Sequence, residues 1–221
     1  MIINNFEKYA FKNSNILGIK SSVNFSLNND VEIICHEETQ DIFDKIMSLN
    51  TIKAFSPLVF SFEAESFNIN KPELPLEVKK LYLLDGHHRL EHLILYNYDY
   101  SVPVVLVEAK NVEVQSYNSK FIGSENNITE FLLKNNFKPS TASLYFIKIG
   151  DKEFSSEEID NIYDLYDFKR KLINLDYISP VRNDIADDNS MIVDFTPIKL
   201  EEFNKGNYLF PPKSTWISPR I

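Results

Sequence analysis

Residues 81–91 read LYLLDGHHRLE, and this stretch decides the fold. Its first four residues are apolar, as a buried strand requires, and the Asp-Gly pair ends that run abruptly. Beyond the glycine, Leu90, Leu93 and Ile94 recur at helical spacing. Residues 102–107, VPVVLV, predict another buried strand. The region therefore predicts strand, tight turn, helix and strand, a βαβ-like unit with its glycine at the strand-to-helix junction.

The Asp85-Gly86-His87-His88-Arg89 turn brings together several groups that bind anions. Gly86 lets the backbone pass closely beneath an anion. The first N–H groups of the following helix lack intrahelical partners and carry the positive end of its dipole. The two histidines add imidazole donors, and Arg89 adds a planar fork suited to phosphate oxygens. We therefore predict a phosphate site at this turn.

Two other readings of the same residues stay open. In the first, the turn is structural, its histidines cap backbone carbonyls, and Arg89 pairs with a surface carboxylate. In the second, His87, His88 and His92 bind zinc. The His88–His92 pair has i, i+4 spacing, but neither the glutamate of an HExxH motif nor a cysteine partner accompanies it.

The charge balance restricts the partners. With 32 acidic and 23 basic side chains, the net charge of −9 repels a nucleic-acid backbone, whereas a small anion needs only a few local donors. We expect a small-molecule substrate and a nucleotide as partners, and no nucleic acid.

The chain carries no sequence sign of export or of a membrane span. Cys35 is the single cysteine, so no intramolecular disulfide can form. The N-terminus lacks the basic and apolar regions of a signal peptide, and no stretch reaches about 20 apolar residues. We expect a cytoplasmic protein with no membrane partner.

Elsewhere the pattern predicts further elements. Strands are expected at 16–19, 31–34, 57–62 and 143–148, helices at 39–49, 127–136 and 157–175, a loop at 68–80, a polar break at 184–189, and an extended proline-rich tail at 210–220. Thr39 is placed to cap the first of these helices. Tyr98 extends the helical spacing of the central motif.

Residues 82–91 followed by Val102-Pro103-Val104 resemble the core of the ParB/sulfiredoxin superfamily. Within it, the sequence is most similar to the free serine kinase group and to related uncharacterised bacterial proteins with a DGHHR signature. Residues 211–215, PPKST, resemble the PPKST or PPKTT segment near the C-terminus of those proteins. His36-Glu37 resembles an HE pair that precedes their first core helix.

The resemblance implies an α+β fold: a ParB/sulfiredoxin-like core, with a small mixed sheet and packed helices, plus a second α/β lobe. The core is expected at 1–118 and the lobe at 119–221, with the tail at 210–216 returning to the active site. It implies a kinase that transfers a phosphoryl group from ATP or ADP, with Mg²⁺, to the hydroxyl of a free amino acid such as serine or of a related metabolite.

The resemblance also implies roles for individual residues. Glu37 would take the hydroxyl proton, and Asp85 would bind Mg²⁺ or orient the acceptor. The nucleotide phosphates would be held by Gly86, His87, His88, Arg89, Lys213, Ser214 and Thr215. Each role has a plainer alternative: Glu37 and Glu38 as acids complementing a helix dipole, Lys213 as a solvated surface lysine, and Asp85 as the start of an Asx turn.

The chain departs from the serine kinases at the acceptor side. Trp216 and Ile217 follow the PPKST segment, where those kinases tend to have an Arg-His pair. Tyr117 occupies the place of a tryptophan that they tend to carry after the third core strand. Glu38, Tyr117 and Arg220 are the remaining candidates for substrate binding, with Arg220 replacing the missing positive charge.

Two alternative functions use the same core. One is a ParB-like nucleotide-binding regulator or DNA-binding switch without kinase activity. The acidic net charge and the lack of a basic helix-turn-helix pattern in the sequence argue against it. The other is sulfiredoxin-like repair, which needs a nucleophilic cysteine beside the phosphate turn. Cys35 is its one candidate, and it lies beside the HE pair.

Overall fold

The chain forms two compact units, described here from a computed structural model. The first unit comprises Met1–Glu113, Leu200–Asn207 and Ile217–Ile221, and the second comprises Val114–Lys199 and Tyr208–Trp216. The structure describes residues 2–3, 7–12, 14–25, 30–39, 56–63, 69, 76–95, 101–122, 125–140, 143–181, 191–203 and 208–219. The body of the helix predicted at 39–49, the polar break at 184–189, Tyr98 and Arg220 lie outside these residues.

The first unit is built on a six-stranded mixed sheet. The described strands of this unit, including the separate pair β1 and β6, are β1 (Ile2–Ile3), β2 (Glu7–Ala10), β3 (Leu17–Val23), β4 (Glu32–Ile34), β5 (Leu58–Phe62), β6 (Leu76–Glu77), β7 (Lys80–Asp85) and β8 (Val102–Glu108). The sheet has the order β2-β3-β8-β5-β7-β4, and β1 pairs with β6 separately. β4 runs parallel to β7, and β5 runs parallel to β8 but antiparallel to β7.

The central strands explain the apolar runs of the sequence. All five residues of β5 are buried, as are residues 81–84 of β7 and 104–107 of β8. Strands covered on both faces read as continuous apolar stretches rather than as alternating ones. The strands predicted at 57–62 and 102–107 are therefore confirmed almost to the residue.

Helix α1 (His87–Leu95) follows β7 directly and packs Leu90 and Leu93 into the core. Ile94, predicted to lie on the same apolar stripe, is 67% exposed. The inward position is taken by His92, which is buried. The buried face of α1 therefore passes through residues 90, 92 and 93 and leaves Ile94 outside it.

The second unit carries a sheet with helices, as an α/β lobe requires, but its described strands pair antiparallel. Its elements, with the flanking strands β9 and β16, are β9 (Glu113–Ser116), β10 (Ser119–Phe121), α2 (Glu125–Lys134), β11 (Lys138–Pro139), β12 (Ile147–Ile149), β13 (Lys152–Ser155), α3 (Ile162–Asn174), β14 (Ile178–Pro180), β15 (Ile192–Phe195) and β16 (Thr215–Ser218). The sheet order is β11-β13-β12-β15-β10-β14, and β9 pairs with β16. The fold as a whole is mixed α+β.

Short connections account for the antiparallel pairing. β12 and β13 are joined by the two residues Gly150 and Asp151, and Gly150 has φ of 57°, which suits a tight hairpin. The predicted strand at 143–148 begins later, at Ile147, because the Ser143 hydroxyl bonds with the backbone N–H and C=O of Tyr145 and holds a turn there.

Two predicted helices of this unit are confirmed with different bounds. The helix expected at 127–136 has the predicted length but lies two residues earlier, as α2. The helix expected at 157–175 starts only at Ile162, because the Asn161 side chain accepts hydrogen bonds from the N–H groups of Tyr163 and Asp164 and caps it.

Among the helices that the structure describes, none has the length and apolar character needed to cross a membrane.

Candidate functional site

Parallel pairing brings the HE pair and the DGHHR turn to one edge of the first unit's sheet. Ile34 at the end of β4 pairs with Tyr82 of β7, so both strands end at the same edge. Cys35-His36-Glu37-Glu38 follows β4, and Gly86 with α1 follows β7. In line with this, the His36 and His87 rings meet edge to face at 4.8 Å between centroids. Two motifs 49 positions apart in the numbering thus share one site.

Gly86 is required at its position for two reasons. Its φ of 102° lies in a region that side-chain-bearing residues rarely adopt. A Cβ there would lie 2.5 Å from Leu58 Cδ2 and 3.0 Å from an Arg89 side-chain nitrogen. The backbone therefore turns in close contact with the start of β5.

The turn places the start of α1 at this edge. The Leu90 N–H donates to the Gly86 carbonyl over 2.9 Å, which makes Gly86 the residue that precedes the first helical turn. That turn reads His-His-Arg-Leu. The N–H groups of His87, His88 and Arg89 precede the first intrahelical bond, and the helix dipole is positive here. The arrangement suits an anion.

Arg89 uses its guanidinium within the chain. One terminal nitrogen donates to the carbonyls of Ser56 and Pro57, the latter over 2.8 Å, and the other lies 3.0 Å from the Asp85 carboxylate. The side chain is only 17% exposed. Arg89 therefore ties the start of β5 to Asp85. Its pairing with a carboxylate agrees with the structural reading of the turn, whereas its contacts with the Ser56 and Pro57 carbonyls were not predicted.

His36 is fully buried at the contact between its own motif and the DGHHR turn. Its ring stacks on Phe203 at 3.7 Å with an interplanar angle of 6°. Burial lowers the pKa of His36 well below 6.5, the neighbouring His87 lowers it further, and a hydrogen bond with the Leu83 backbone opposes the shift. His36 is therefore a neutral imidazole at physiological pH.

The Glu37 carboxylate lies beside the His36 ring and is largely sheltered from solvent. One of its carboxylate oxygens lies 3.9 Å from His36 Nε2, and its side chain is 15% exposed. Because His36 is neutral, this contact is not a salt bridge. Glu38 is half-buried. A carboxylate beside a neutral ring, at the edge where α1 begins, is placed to accept a proton.

The environment of Cys35 argues against cysteine chemistry at this site. Desolvation and the nearby Glu91 carboxylate raise the pKa of the Cys35 thiol, which disfavours the thiolate that sulfiredoxin-like repair needs.

Within the described ranges, no group of three or more His, Cys, Asp or Glu side chains is arranged to bind a metal ion. Burial lowers the pKa of His92.

The fold resembles that of a free serine kinase. The structure of that kinase in complex with AMP matches with a TM-score of 0.57 and 15% identity over 96% of this chain and 91% of the kinase chain. The same kinase has been solved, as a variant, with ADP. C-terminally truncated SbnI from Staphylococcus aureus matches with a TM-score of 0.62 and 13% identity, over 91% of this chain and 84% of SbnI.

A conserved hypothetical protein from Pyrococcus furiosus is also similar, with a TM-score of 0.54, 16% identity and 90% of each chain covered. No family model matches the sequence, and no curated protein is significantly similar to it. At these identities the comparisons establish the shared fold. The ParB/sulfiredoxin assignment stays a prediction.

The PPKST segment forms a tight turn in the second unit. Lys213 is exposed and has φ of 56°, whereas Ser214 and Thr215 are buried. The Ser214 hydroxyl donates to the Pro211 carbonyl over 2.6 Å. Of the three residues predicted to clamp phosphates, Lys213 alone is exposed. The approach of this tail to the DGHHR turn stays a prediction.

Tyr117, the candidate for substrate binding, is 7% exposed. Its ring lies 5.7 Å from that of Trp216, and its backbone N–H donates to the Ser214 carbonyl over 3.0 Å. Tyr117 is therefore built into the support of the PPKST turn.

Sequence reasoning missed three contributors to these sites. Phe203 covers His36 from a distant part of the chain, Leu58 closes the space beside Gly86, and Lys169 contacts the Tyr117 carbonyl. Only Lys169 left a signal in the sequence: it interrupts the apolar face of the predicted helix at 157–175.

Proposed function

We propose that this protein is a nucleotide-dependent phosphotransferase that phosphorylates a hydroxyl group of a small metabolite, with a serine-like free amino acid as the acceptor. One observation carries the proposal: a glycine-initiated helix N-terminus lies at the same sheet edge as a sheltered glutamate, in a fold shared with a kinase solved with AMP and with ADP.

In the proposal, the nucleotide phosphates bind at the start of α1. The N–H groups of residues 87–89 donate to phosphate oxygens, and Gly86 lets the phosphates approach the backbone. Arg89 holds the turn in shape through Ser56, Pro57 and Asp85 and places positive charge beside the phosphates. Lys213 is proposed as a further phosphate contact on the strength of the PPKST motif.

The transfer step needs a base for the acceptor. Its hydroxyl oxygen attacks the terminal phosphorus of the nucleotide while its proton passes to the Glu37 carboxylate. The bond from that phosphorus to the bridging oxygen breaks, and ADP leaves if ATP is the donor, or AMP if ADP is. Burial of His36 beside Glu37 shields one side of the carboxylate from water.

Asp85 fits the role of a magnesium ligand in the proposal. Its side chain is 39% exposed and its carboxylate contacts Arg89, so one oxygen can face a phosphate-bound cation. Magnesium sites often use one or two carboxylates, with phosphates and waters completing the shell, and so need no larger protein cluster. When bound, Mg²⁺ would neutralise charge on the transferring phosphoryl group.

A transfer screen tests the proposal. The purified protein is incubated with ATP or ADP, Mg²⁺ and a panel of hydroxyl-bearing amino acids and small metabolites, and the products are identified by mass spectrometry. We expect a phosphorylated product of one acceptor class that disappears in Glu37→Gln. Nucleotide binding without transfer to any acceptor would favour the regulator alternative instead.

A further inference from the structure

A lysine occupies the middle of the apolar face of α3. The buried residues of this helix are Ile162, Leu165, Tyr166, Lys169 and Leu172. Lys169 is 0% exposed, in a row otherwise composed of apolar and aromatic side chains. Burying a charge is costly unless the surroundings compensate it, and a methionine or leucine would fill this space at no such cost. The lysine therefore calls for a reason beyond packing.

The Lys169 ammonium is compensated by a backbone carbonyl and by aromatic rings. It donates to the Tyr117 carbonyl over 3.4 Å and lies over the rings of Tyr166 and Phe195, at 5.1 and 4.9 Å from their centroids. Burial raises the pKa of Asp194, and the positive charges of Lys148 and Lys169 oppose that rise. A carbonyl and two aromatic faces thus contact the cation, and the Asp194 carboxyl interacts with it electrostatically.

The Tyr117 carbonyl connects this lysine to the PPKST turn. The same residue donates its N–H to the Ser214 carbonyl over 3.0 Å, and the Ser214 hydroxyl donates to the Pro211 carbonyl over 2.6 Å. Between them, Lys213 is held in a left-handed conformation at φ of 56°. A continuous series of hydrogen bonds therefore runs from Lys169 to the turn that presents Lys213.

We propose that Lys169 is a positioning residue that holds the PPKST turn in the conformation presenting Lys213, acting through the backbone of Tyr117. The nucleotide-binding part of this role rests on the proposed function. Without the ammonium, the Tyr117 carbonyl loses its buried donor, and the Tyr117–Ser214 bond loses its fixed partner. The turn then samples other conformations, and Lys213 is presented less well to a phosphate.

Trp216, the single tryptophan of the chain, reports on the turn independently of any ligand. Lys169→Met removes the donor and keeps an apolar side chain of similar length. Because the Tyr117 carbonyl loses this buried donor, the variant should fold but melt at a lower temperature than the wild type. Well below that temperature, the Trp216 emission maximum and its quenching by acrylamide should change. Lys169→Arg, which keeps a cationic donor, should restore the wild-type spectrum.

Lys171→Met is the matched control, because Lys171 lies on the exposed side of the same helix and donates to Asn135. Its Trp216 emission should match the wild type. If Lys169→Met does not fold, Lys169→Gln, whose side chain is one atom shorter and leaves the Tyr117 carbonyl out of reach, gives the same comparison. A wild-type Trp216 signal in the folded variant, or an equal change in Lys171→Met, overturns the positioning role.

The proposed effect of Lys169 on nucleotide binding is tested by measuring ADP affinity by calorimetry. We expect Lys169→Met to bind ADP about tenfold more weakly, the effect of weakening one charge-assisted contact from Lys213 to a phosphate, and Lys171→Met to bind as the wild type does. An altered Trp216 signal with unchanged ADP affinity overturns the link between the turn and the nucleotide. If the wild-type protein binds no nucleotide, the proposed function fails, while the Trp216 comparison still decides the role of Lys169.

Discussion

Replacing Gly86 by alanine should destabilise the first unit by an amount that its surroundings allow us to work out. The added Cβ would lie 2.5 Å from Leu58 Cδ2, and Leu58 is fully buried. A side chain at positive φ costs about 1–2 kcal/mol, and overpacking a well-filled core costs about 1–3 kcal/mol. The sum predicts a loss of roughly 2–5 kcal/mol in the free energy of unfolding.

Gly150→Ala is the matched control, because Gly150 also has positive φ, of 57°, but has open space around the Cβ position. It should cost only the conformational part, about 1–2 kcal/mol. Urea unfolding followed by circular dichroism gives the overall loss. Hydrogen exchange of peptides around each glycine assigns that loss to its unit.

A double variant isolates the contact. Leu58→Ala makes room for the new methyl group, so Gly86→Ala should cost less in that background than in the wild type. Equal losses in Gly86→Ala and Gly150→Ala, or strict additivity with Leu58→Ala, would refute the close approach of the turn to β5.

Three further predictions concern the same unit. Arg89→Ala should weaken ADP binding roughly ten- to a hundred-fold. Arg89→Lys keeps the charge but not the planar fork that contacts Ser56 and Asp85, so it should recover little of the lost affinity. Full recovery of ADP affinity in calorimetry would assign the effect to charge alone. Glu37→Gln should lower turnover by ~10²–10⁴ with ADP affinity nearly intact, whereas a retained rate there and a lost one in Glu38→Gln would move the base by one residue. Burial lowers the pKa of His36 below 6.5 in the folded state, so as pH falls the unfolded chain protonates this imidazole before the folded protein does. The free energy of unfolding should therefore decline below about pH 6.5 by up to about 1.4 kcal/mol per pH unit. His36→Gln should flatten this slope in urea titrations, and an unchanged slope would contradict the prediction.

The strand, turn and helix around Asp85-Gly86 were predictable because neighbouring residues alone specify them. An apolar run ended by Asp85-Gly86 and followed by helical spacing defines strand, turn and helix without knowledge of the rest of the chain. The buried strands β5 and β8 were predictable for the same reason. The proximity of His36 to His87 required the parallel pairing of β4 with β7, which no local pattern specifies.

Most of the second unit's sheet was not predicted. Its strands are two to four residues long, too short for alternation to be read with certainty. The backbone partners of Arg89 and Lys169 could not be read from the sequence either, since carbonyl groups carry no sequence signal. Resemblance to a phosphate-binding motif led to the expectation that Arg89 binds phosphate, which stays a prediction. The structure shows that Arg89 also holds the turn through the Ser56 and Pro57 carbonyls and Asp85.

The most direct test of the central claim is whether a nucleotide binds at the start of α1. The protein contains five glycines and four histidines, so labelling these two residue types with ¹⁵N gives a short, assignable amide spectrum. On titration with ADP and Mg²⁺, the amide signals of Gly86, His87 and His88 should shift most, and that of Gly150 should stay in place. Measurable ADP binding that leaves those three amides unmoved, or no ADP binding at all, would contradict the account.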